Sequence, residues 1–141
     1  MDVSTLLTRK GHLVATASAT DSVAEALSLM AEHNIGALVI LDHGKIIGIL
    51  SERDIVRRLA DDTKTRERKI SELMSTVVTT CPPETSCGQL MALMTSERIR
   101  HVPVVAEGEL IGLVSIGDVM KAYVEEIEKD RRELWDYVTA R

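Results

Sequence analysis

The sequence predicts an α+β fold built from two copies of one β-α-β-β-α unit, packed sheet to sheet about a pseudo-twofold axis. Three observations predict it. First, a gap-free shift of 64 residues lays Gly44-Lys45-Ile46-Ile47-Gly48-Ile49-Leu50-Ser51 on Gly108-Glu109-Leu110-Ile111-Gly112-Leu113-Val114-Ser115, and Asp54 on Asp118. The same register aligns Val14 with Val78, Thr16 with Thr80, Ser22 with Ser86, Leu29-Met30 with Leu93-Met94 and Ile35 with Ile99. Second, apolar spacing switches between helical and strand periods in the same order in both copies. Third, the chain has 141 residues, 45% of them apolar and 28% charged, which suits one folded domain and excludes wholesale disorder. A half of roughly 50 to 60 residues is too small to close a core alone, so the two halves are expected to share one.

The elements follow in chain order. Residues 1–11 form a leading segment, read as a short helix. The first repeat covers residues 12–60. It opens on an extended piece, Leu13 to Thr16, then a helix started by Asp21 or Ser22 with Val23, Ala26, Leu27 and Met30 on one face. An apolar strand, Ala37 to Leu41, turns tightly at Asp42-His43-Gly44 into a second strand, Ile46 to Leu50, which ends at Ser51 and starts another helix. Residues 61–75 are a charged connector. The second repeat, residues 76–125, carries the same pieces: Val77 to Thr80, a helix with Cys87, Leu90, Met91 and Met94, strands Val102 to Val105 and Leu110 to Val114, and a turn at Glu107-Gly108. Residues 126–141 extend a final helix that begins near Asp118. Its Met120, Val124, Ile127, Leu134 and Val138 recur at spacings of three, four and seven, beside Tyr123, Trp135 and Tyr137. Two readings of that stripe stand together: packing on a partner subunit, or covering its own core.

Composition removes several function classes. With 17 Lys+Arg against 22 Asp+Glu the net charge is −5, so no general pull on nucleic acid or an anionic membrane is expected. Aromatic residues make up 2% of the chain and Phe is missing, which leaves no platform for stacking bases. Cys81 and Cys87 cannot build a disulfide framework and are not spaced as C-x-x-C. Cys87 is expected in the core opposite Val23, and Cys81 in a loop before Pro82-Pro83, with redox chemistry the minor alternative. His12, His33 and His43 are scattered, so no metal site is expected. No secretory signal is visible, and the run Ile35 to Leu41 is too short to span a bilayer. The expected setting is cytoplasmic.

The informative motif is Gly-h-h-Ser-x-x-Asp, where h is apolar. It occurs as Gly48-Ile49-Leu50-Ser51-Glu52-Arg53-Asp54 and again as Gly112-Leu113-Val114-Ser115-Ile116-Gly117-Asp118. One reading is structural: Ser at a strand end with Asp three residues on is a helix N-cap and capping box. The other is functional. The glycine permits close backbone approach, the helix N-terminus attracts an anion, and the carboxylate accepts hydrogen bonds from two vicinal hydroxyls, as a ribose presents. No arrangement of nucleophile, base and orienting group is readable.

These features, with Thr16 and Thr80 and the strand Ile99-Arg100-His101-Val102-Pro103-Val104-Val105, make residues 12 to 125 resemble a tandem pair of CBS domains, or Bateman module, of the stand-alone kind. The resemblance implies a regulatory, non-enzymatic module binding an adenosine-containing ligand: AMP foremost, otherwise ADP, ATP, NAD(H) or S-adenosylmethionine. It also implies a homodimer and a separate, unknown regulated protein. It assigns ribose hydroxyls to Asp54 and Asp118, ribose or phosphate contacts to Ser51 and Ser115, and the cleft mouth to Thr16 and Thr80. The resemblance further implies that adenine is read by backbone at Gly36, Ala37 and Leu38 and at Ile99, Arg100, His101, Val102 and Pro103.

The two clefts are expected to differ. Arg100 and His101 stand where the first repeat has Gly36 and Ala37, and Glu52 and Arg53 stand where the second has Ile116 and Gly117. Arg100 and His101 supply phosphate donors. The cleft of Ser51, Asp54, Thr80 and Arg100 to Val102 is therefore expected to bind phosphate better. Arg57 and Lys121, one turn past the aspartates, either reach phosphate or face water. The charged run Lys64 to Lys69 is read as a solvated connector, with contact to phosphate the minor alternative. The alternative function is a constitutive assembly module with vestigial clefts.

Overall fold

The computed structural model describes residues 1–140. Its elements are α1 (Val3–Lys10), β1 (Thr16–Ala17), α2 (Val23–His33), β2 (Ala37–Asp42), β3 (Lys45–Ser51), α3 (Glu52–Leu59), α4 (Cys87–Glu97), β4 (His101–Ala106), β5 (Glu109–Ser115) and α5 (Ile116–Thr139). Two short 3-10 turns, Thr65–Glu67 and Ile70–Glu72, lie between α3 and α4. The fold is α+β, with five helices and two small sheets among the described residues. The chain divides into two compact units. One holds Leu13–Thr79; the other holds Met1–His12 together with the chain from Thr80 onward.

The duplication holds at the level of single residues. In the first unit β2 and β3 pair antiparallel with Ala37 opposite Ser51, and the register slips between Ile40 and Leu41. In the second, β4 and β5 pair with His101 opposite Ser115, and the slip falls between Val104 and Val105. Both hairpins turn through two residues of positive φ, His43-Gly44 and Glu107-Gly108, the geometry that matches the strand twist. Helices α2 and α4 are capped by Ser22 and Ser86, and both end on a left-handed residue, Asn34 and Arg98. Of the two candidate starts for α2, Ser22 is the N-cap, and Asp21 instead accepts from the Ser18 amide.

The expected opening strands are corrected. Leu13 and Val77 are 80% and 85% exposed, and pairing begins later, at Thr16–Ala17 beside Val39–Ile40 and at Cys81 beside Val104. Apolar content marked these stretches, but pairing starts at the last residue of the first and one residue past the end of the second. Cys81 is likewise no loop thiol. It is 3% exposed, its amide donates to the Pro103 carbonyl and its own carbonyl accepts from Val105. Burial pushes the thiols of Cys81 and Cys87 up, which makes them poor nucleophiles and redox centres.

Each unit completes its core with a segment that precedes the other repeat. Val3, Leu6 and Leu7 of α1 are buried with Leu90, Met94, Val102, Val104 and Val114 of the second repeat. Ile70 is buried with Val23, Ala26, Leu38, Ile40 and Leu50 of the first, and Leu73 and Met74 pack against that cluster. The backbone follows suit. Val3 and Ser4 amides donate to Thr85 and Pro83, and Ile70 and Ser71 amides donate to Asp21 and Ala19. The connector is therefore not simply solvated: Thr65 and Ile70 are fully buried, and Arg68 pairs with Asp62 at 2.9 Å. Lys64, Arg66, Glu67 and Lys69 are exposed, while Asp62 is held inward by its ion pairs and Thr65 and Ile70 anchor the segment.

The two anchoring segments correspond at an offset of 67, Val3 with Ile70, Leu6 with Leu73 and Leu7 with Met74. They explain the motif glycines. A Cβ on Gly48 would lie 2.6 Å from Met74 Sδ, and one on Gly112 would lie 2.5 Å from Leu7 Cδ2. The space each glycine opens is filled from inside the same unit, so close approach of a ligand is not its use.

Helix α5 is 24 residues long, and only Val119 and Ala122 in it are buried. Met120, Val124, Ile127, Leu134, Trp135, Tyr137 and Val138 are all about half exposed or more. The reading that α5 covers its own core fails beyond Glu126, whose carboxylate takes the N-terminal ammonium at 3.0 Å.

Candidate ligand-binding site

In each unit the site grows from a strand that ends as a helix begins. Leu50 is pinned in the core, so β3 delivers Ser51 to the sheet edge opposite Ala37. The chain turns there because Ser51 caps α3. Its Oγ accepts from the Asp54 amide at 3.3 Å, and Asp54 Oδ2 accepts from the Ser51 amide at 2.9 Å and the Ser51 hydroxyl at 3.0 Å. The Glu52 amide donates to the Gly36 carbonyl at 2.9 Å, which locks the start of β2 to the start of α3.

The second unit repeats this. Ser115 Oγ accepts from the Asp118 amide at 3.2 Å, Asp118 Oδ2 accepts from the Ser115 amide at 2.9 Å, and the Ile116 amide donates to the Arg100 carbonyl at 2.8 Å. The capping-box reading of the motif is thus met in both copies. It does not exhaust the carboxylates. Among the described residues every hydrogen bond to Asp54 or Asp118 arrives at Oδ2, and Oδ1 of each is left without one. A partly buried carboxylate oxygen beside a helix N-terminus is a strong acceptor for a hydroxyl.

The second copy has a cation where the first has none described. Lys10, in the last turn of α1, places its Nζ 2.6 Å from Asp118 Oδ2 and 2.8 Å from the Leu113 carbonyl. The side chains of Lys10 and Asp118 are 34% and 28% exposed. Burial works to raise the Asp118 carboxyl, but the Lys10 ammonium and the Ser115 amide overcome it and hold the group below its ordinary range. Among the described residues, no cation lies within ion-pairing distance of Asp54.

Other expected site residues are placed as follows. Ala37 is brought opposite Ser51 by the β2–β3 pairing, and the Gly36 carbonyl accepts from the Glu52 amide. Thr16 is exposed on β1, with β2 between it and Ser51. Glu52 is exposed and Arg53 partly so. In the second unit, Thr80 is exposed next to Cys81, Arg100 is exposed, His101 and Ile99 are partly buried, and His101 faces Ser115 across the hairpin. Ala37, Leu38, Val102 and Pro103 are buried, Leu38 and Val102 in their units' cores, so what they offer a ligand is backbone. The Gly36 and Arg100 carbonyls are already bonded to helix-start amides. Arg57 and Lys121 are exposed. Lys10 was not singled out by sequence. The only available signal was the internal match of Val3, Leu6 and Leu7 to Ile70, Leu73 and Met74, which makes the two segments equivalent without saying which repeat either one covers.

A shallow depression lined by Arg131, Arg132, Trp135 and Asp136 lies on α5 and includes none of these residues. Among the described residues, no group of three or more His, Cys, Asp or Glu gathers as a metal site, and no helix is long and apolar enough to cross a membrane.

Comparison with known proteins gives a consistent picture. A family model described as CBS domain matches residues 10–61 and 70–125. The chain is 37% identical over 124 residues to the mitochondrial CBS domain-containing protein CBSX3 of Arabidopsis thaliana, covering 84% of this chain and 60% of that one. It is 36% identical to the CBS domain-containing protein YhcV of Bacillus subtilis, covering 75% and 76%. Among solved structures, the CBS-domain protein ATU1752 from Agrobacterium tumefaciens matches with a TM-score of 0.84 and 40% identity over 87% of this chain and 99% of that one. The CBS domain pair of protein MJ0100, solved with 5-methylthioadenosine and S-adenosylmethionine, matches at 0.79 and 28% identity over 89% and 98%.

Proposed function

From the premise that this chain belongs to the CBS-domain family, we propose that it is a regulatory module that binds an adenosine-containing ligand and acts on a separate partner protein. AMP is the first choice, ahead of ADP, ATP, NAD(H) and S-adenosylmethionine. The observation that carries the reading is the duplicated carboxylate at the strand–helix junction, with Oδ1 left over after the capping box is satisfied. An acceptor in that place suits the vicinal hydroxyls of a ribose, and the adjacent helix N-terminus suits a phosphate. The adenosine compounds bound by MJ0100 support the ligand class.

In this reading Asp54 and Asp118 take ribose, Ser51 and Ser115 stand beside the sugar and phosphate, and Thr16 and Thr80 edge the clefts. Backbone at Gly36 to Leu38 and at Ile99 to Pro103 reads the base, with Glu52 and Arg53 at one cleft and Arg100 and His101 donating to phosphate. The Asp54 site is the stronger, because none of the described cations pairs with its carboxylate. The module is non-catalytic and cytoplasmic.

It is also a homodimer. The exposed stripe of Met120, Val124, Ile127, Leu134 and Val138 on α5 has the spacing of a seam between two like helices. That same stripe supports the second reading, a constitutive assembly module with vestigial clefts.

Calorimetry with AMP separates the two. Asp54→Asn is expected to weaken binding about 10- to 100-fold, the worth of hydrogen bonds to a charged acceptor, and Asp118→Asn to change it less. If AMP, ATP, NADH and S-adenosylmethionine all leave the melting temperature of the native protein unmoved, the assembly reading replaces this one.

A further inference from the structure

We propose that Lys10 is a built-in competitor for the second ligand site: its ammonium occupies Asp118 and holds that site in a low-affinity state, leaving the Asp54 site as the open one. The inference rests on the carboxylates being the ligand's anchor, as proposed above.

The two sites are an internal control for each other. Strand register, capping serine, aspartate and helix start agree residue for residue, so what differs at the carboxylates themselves is the group that reaches them from elsewhere in the chain. The difference is Lys10, 108 positions from Asp118 and placed there because Leu7 is buried beneath Gly112. It is held at two points, Asp118 Oδ2 and the Leu113 carbonyl, which fixes the ammonium at the carboxylate rather than in solvent. His12 Nδ1 lies 3.1 Å from the Ile111 carbonyl, so the chain on both sides of Gly11 is tied to β5.

The first repeat lacks the turn that would carry such a group. Leu7 precedes Val14 by seven positions, whereas Met74 precedes Val78 by four. The three additional residues fall in the last turn of α1, where Lys10 sits. After Met74 the chain runs straight to Ser75, which bonds Ile49 by backbone alone. No ammonium is delivered to Asp54.

A carboxylate engaged by an ammonium is a poorer acceptor for a sugar diol than a free one, since the ligand must share or displace the cation. The site then discriminates by what the ligand offers Lys10. A neutral nucleoside offers nothing and is disfavoured at Asp118, while Asp54 accepts it.

The test uses full-length protein carrying Asp54→Asn, which reports on the Asp118 site alone, with adenosine as the probe. Adding Lys10→Met, which keeps the apolar stem, is expected to tighten adenosine binding about two- to fivefold, the range for an ion pair this exposed. Lys10→Arg in the same background is expected to leave binding unchanged. Val3, Leu6 and Leu7 keep α1 docked in all variants, and a melting curve checks this. Unchanged or weaker binding in the Lys10→Met variant overturns the proposal while wild-type binding through Asp54 still stands. Failure of the native protein to bind any adenosine compound removes both this proposal and the function it builds on.

Discussion

Asp118 is where local chemistry has the widest consequence. Its carboxyl is depressed in the folded chain because the Lys10 ammonium and Ser115 amide outweigh the cost of burial. A group whose folded pKa lies below its unfolded value stabilises the fold at pH above the unfolded value, about 4, and that contribution is lost as pH falls through the folded one. Asp62, held down by Arg68, and Asp2, held down by the Thr5 amide, act in the same direction. Thermal melts between pH 7 and pH 3 are expected to show the gap between native protein and Asp118→Asn closing below about pH 4. A gap that stays constant through that range would mean Lys10 contributes nothing through charge.

At the scale of elements, the telling feature is how α1 and the Ile70–Met74 segment are used. Each lies outside the repeat it completes. Leu7 is fully buried, and its methyls fill the space over Gly112. Leu7→Ala is expected to cost about 2–5 kcal/mol in urea unfolding. Gly112→Ala is expected to cost about 1–3 kcal/mol, because the added methyl meets Leu7. The two changes are coupled: with Leu7 already cut back, Gly112→Ala is expected to cost far less, and strict additivity would show that the glycine serves some other purpose. The sequence made the helices and hairpins of both repeats legible, since Ser22 and Ser86 cap, Gly44 and Gly108 turn, and the apolar periods are clean. The short opening strands were misplaced by one to four residues, because a two-residue strand has no period to read.

For the whole molecule, the question is what covers α5. Its apolar stripe runs on past the last buried residue, Ala122, for four more turns. Ile127→Glu with Leu134→Glu is expected to convert a dimer to a monomer in sedimentation velocity, with the melting temperature of the remaining fold little changed. A native protein that sediments as a monomer at tens of micromolar would assign the stripe to another partner. Ligand binding belongs to this scale as well. An adenosine compound that binds the native state is expected to raise the melting temperature in proportion to the logarithm of its concentration, and more so when Asp54 is intact.

The sequence alone determined that the chain is a duplication, where its helices and hairpins run, and which Ser–Asp pairs start α3 and α5. These are consequences of apolar period, turn chemistry and capping, each decided within a few residues. Only the tertiary structure decided that α1 completes the second repeat, that Ile70 lies in a core rather than in water, that the motif glycines make room for Met74 and Leu7, and that Lys10 sits on Asp118. Those facts join residues tens to more than a hundred positions apart. Burial and charge pairing act between such groups through space, and no local pattern in the chain encodes which distant segment will fill a given gap.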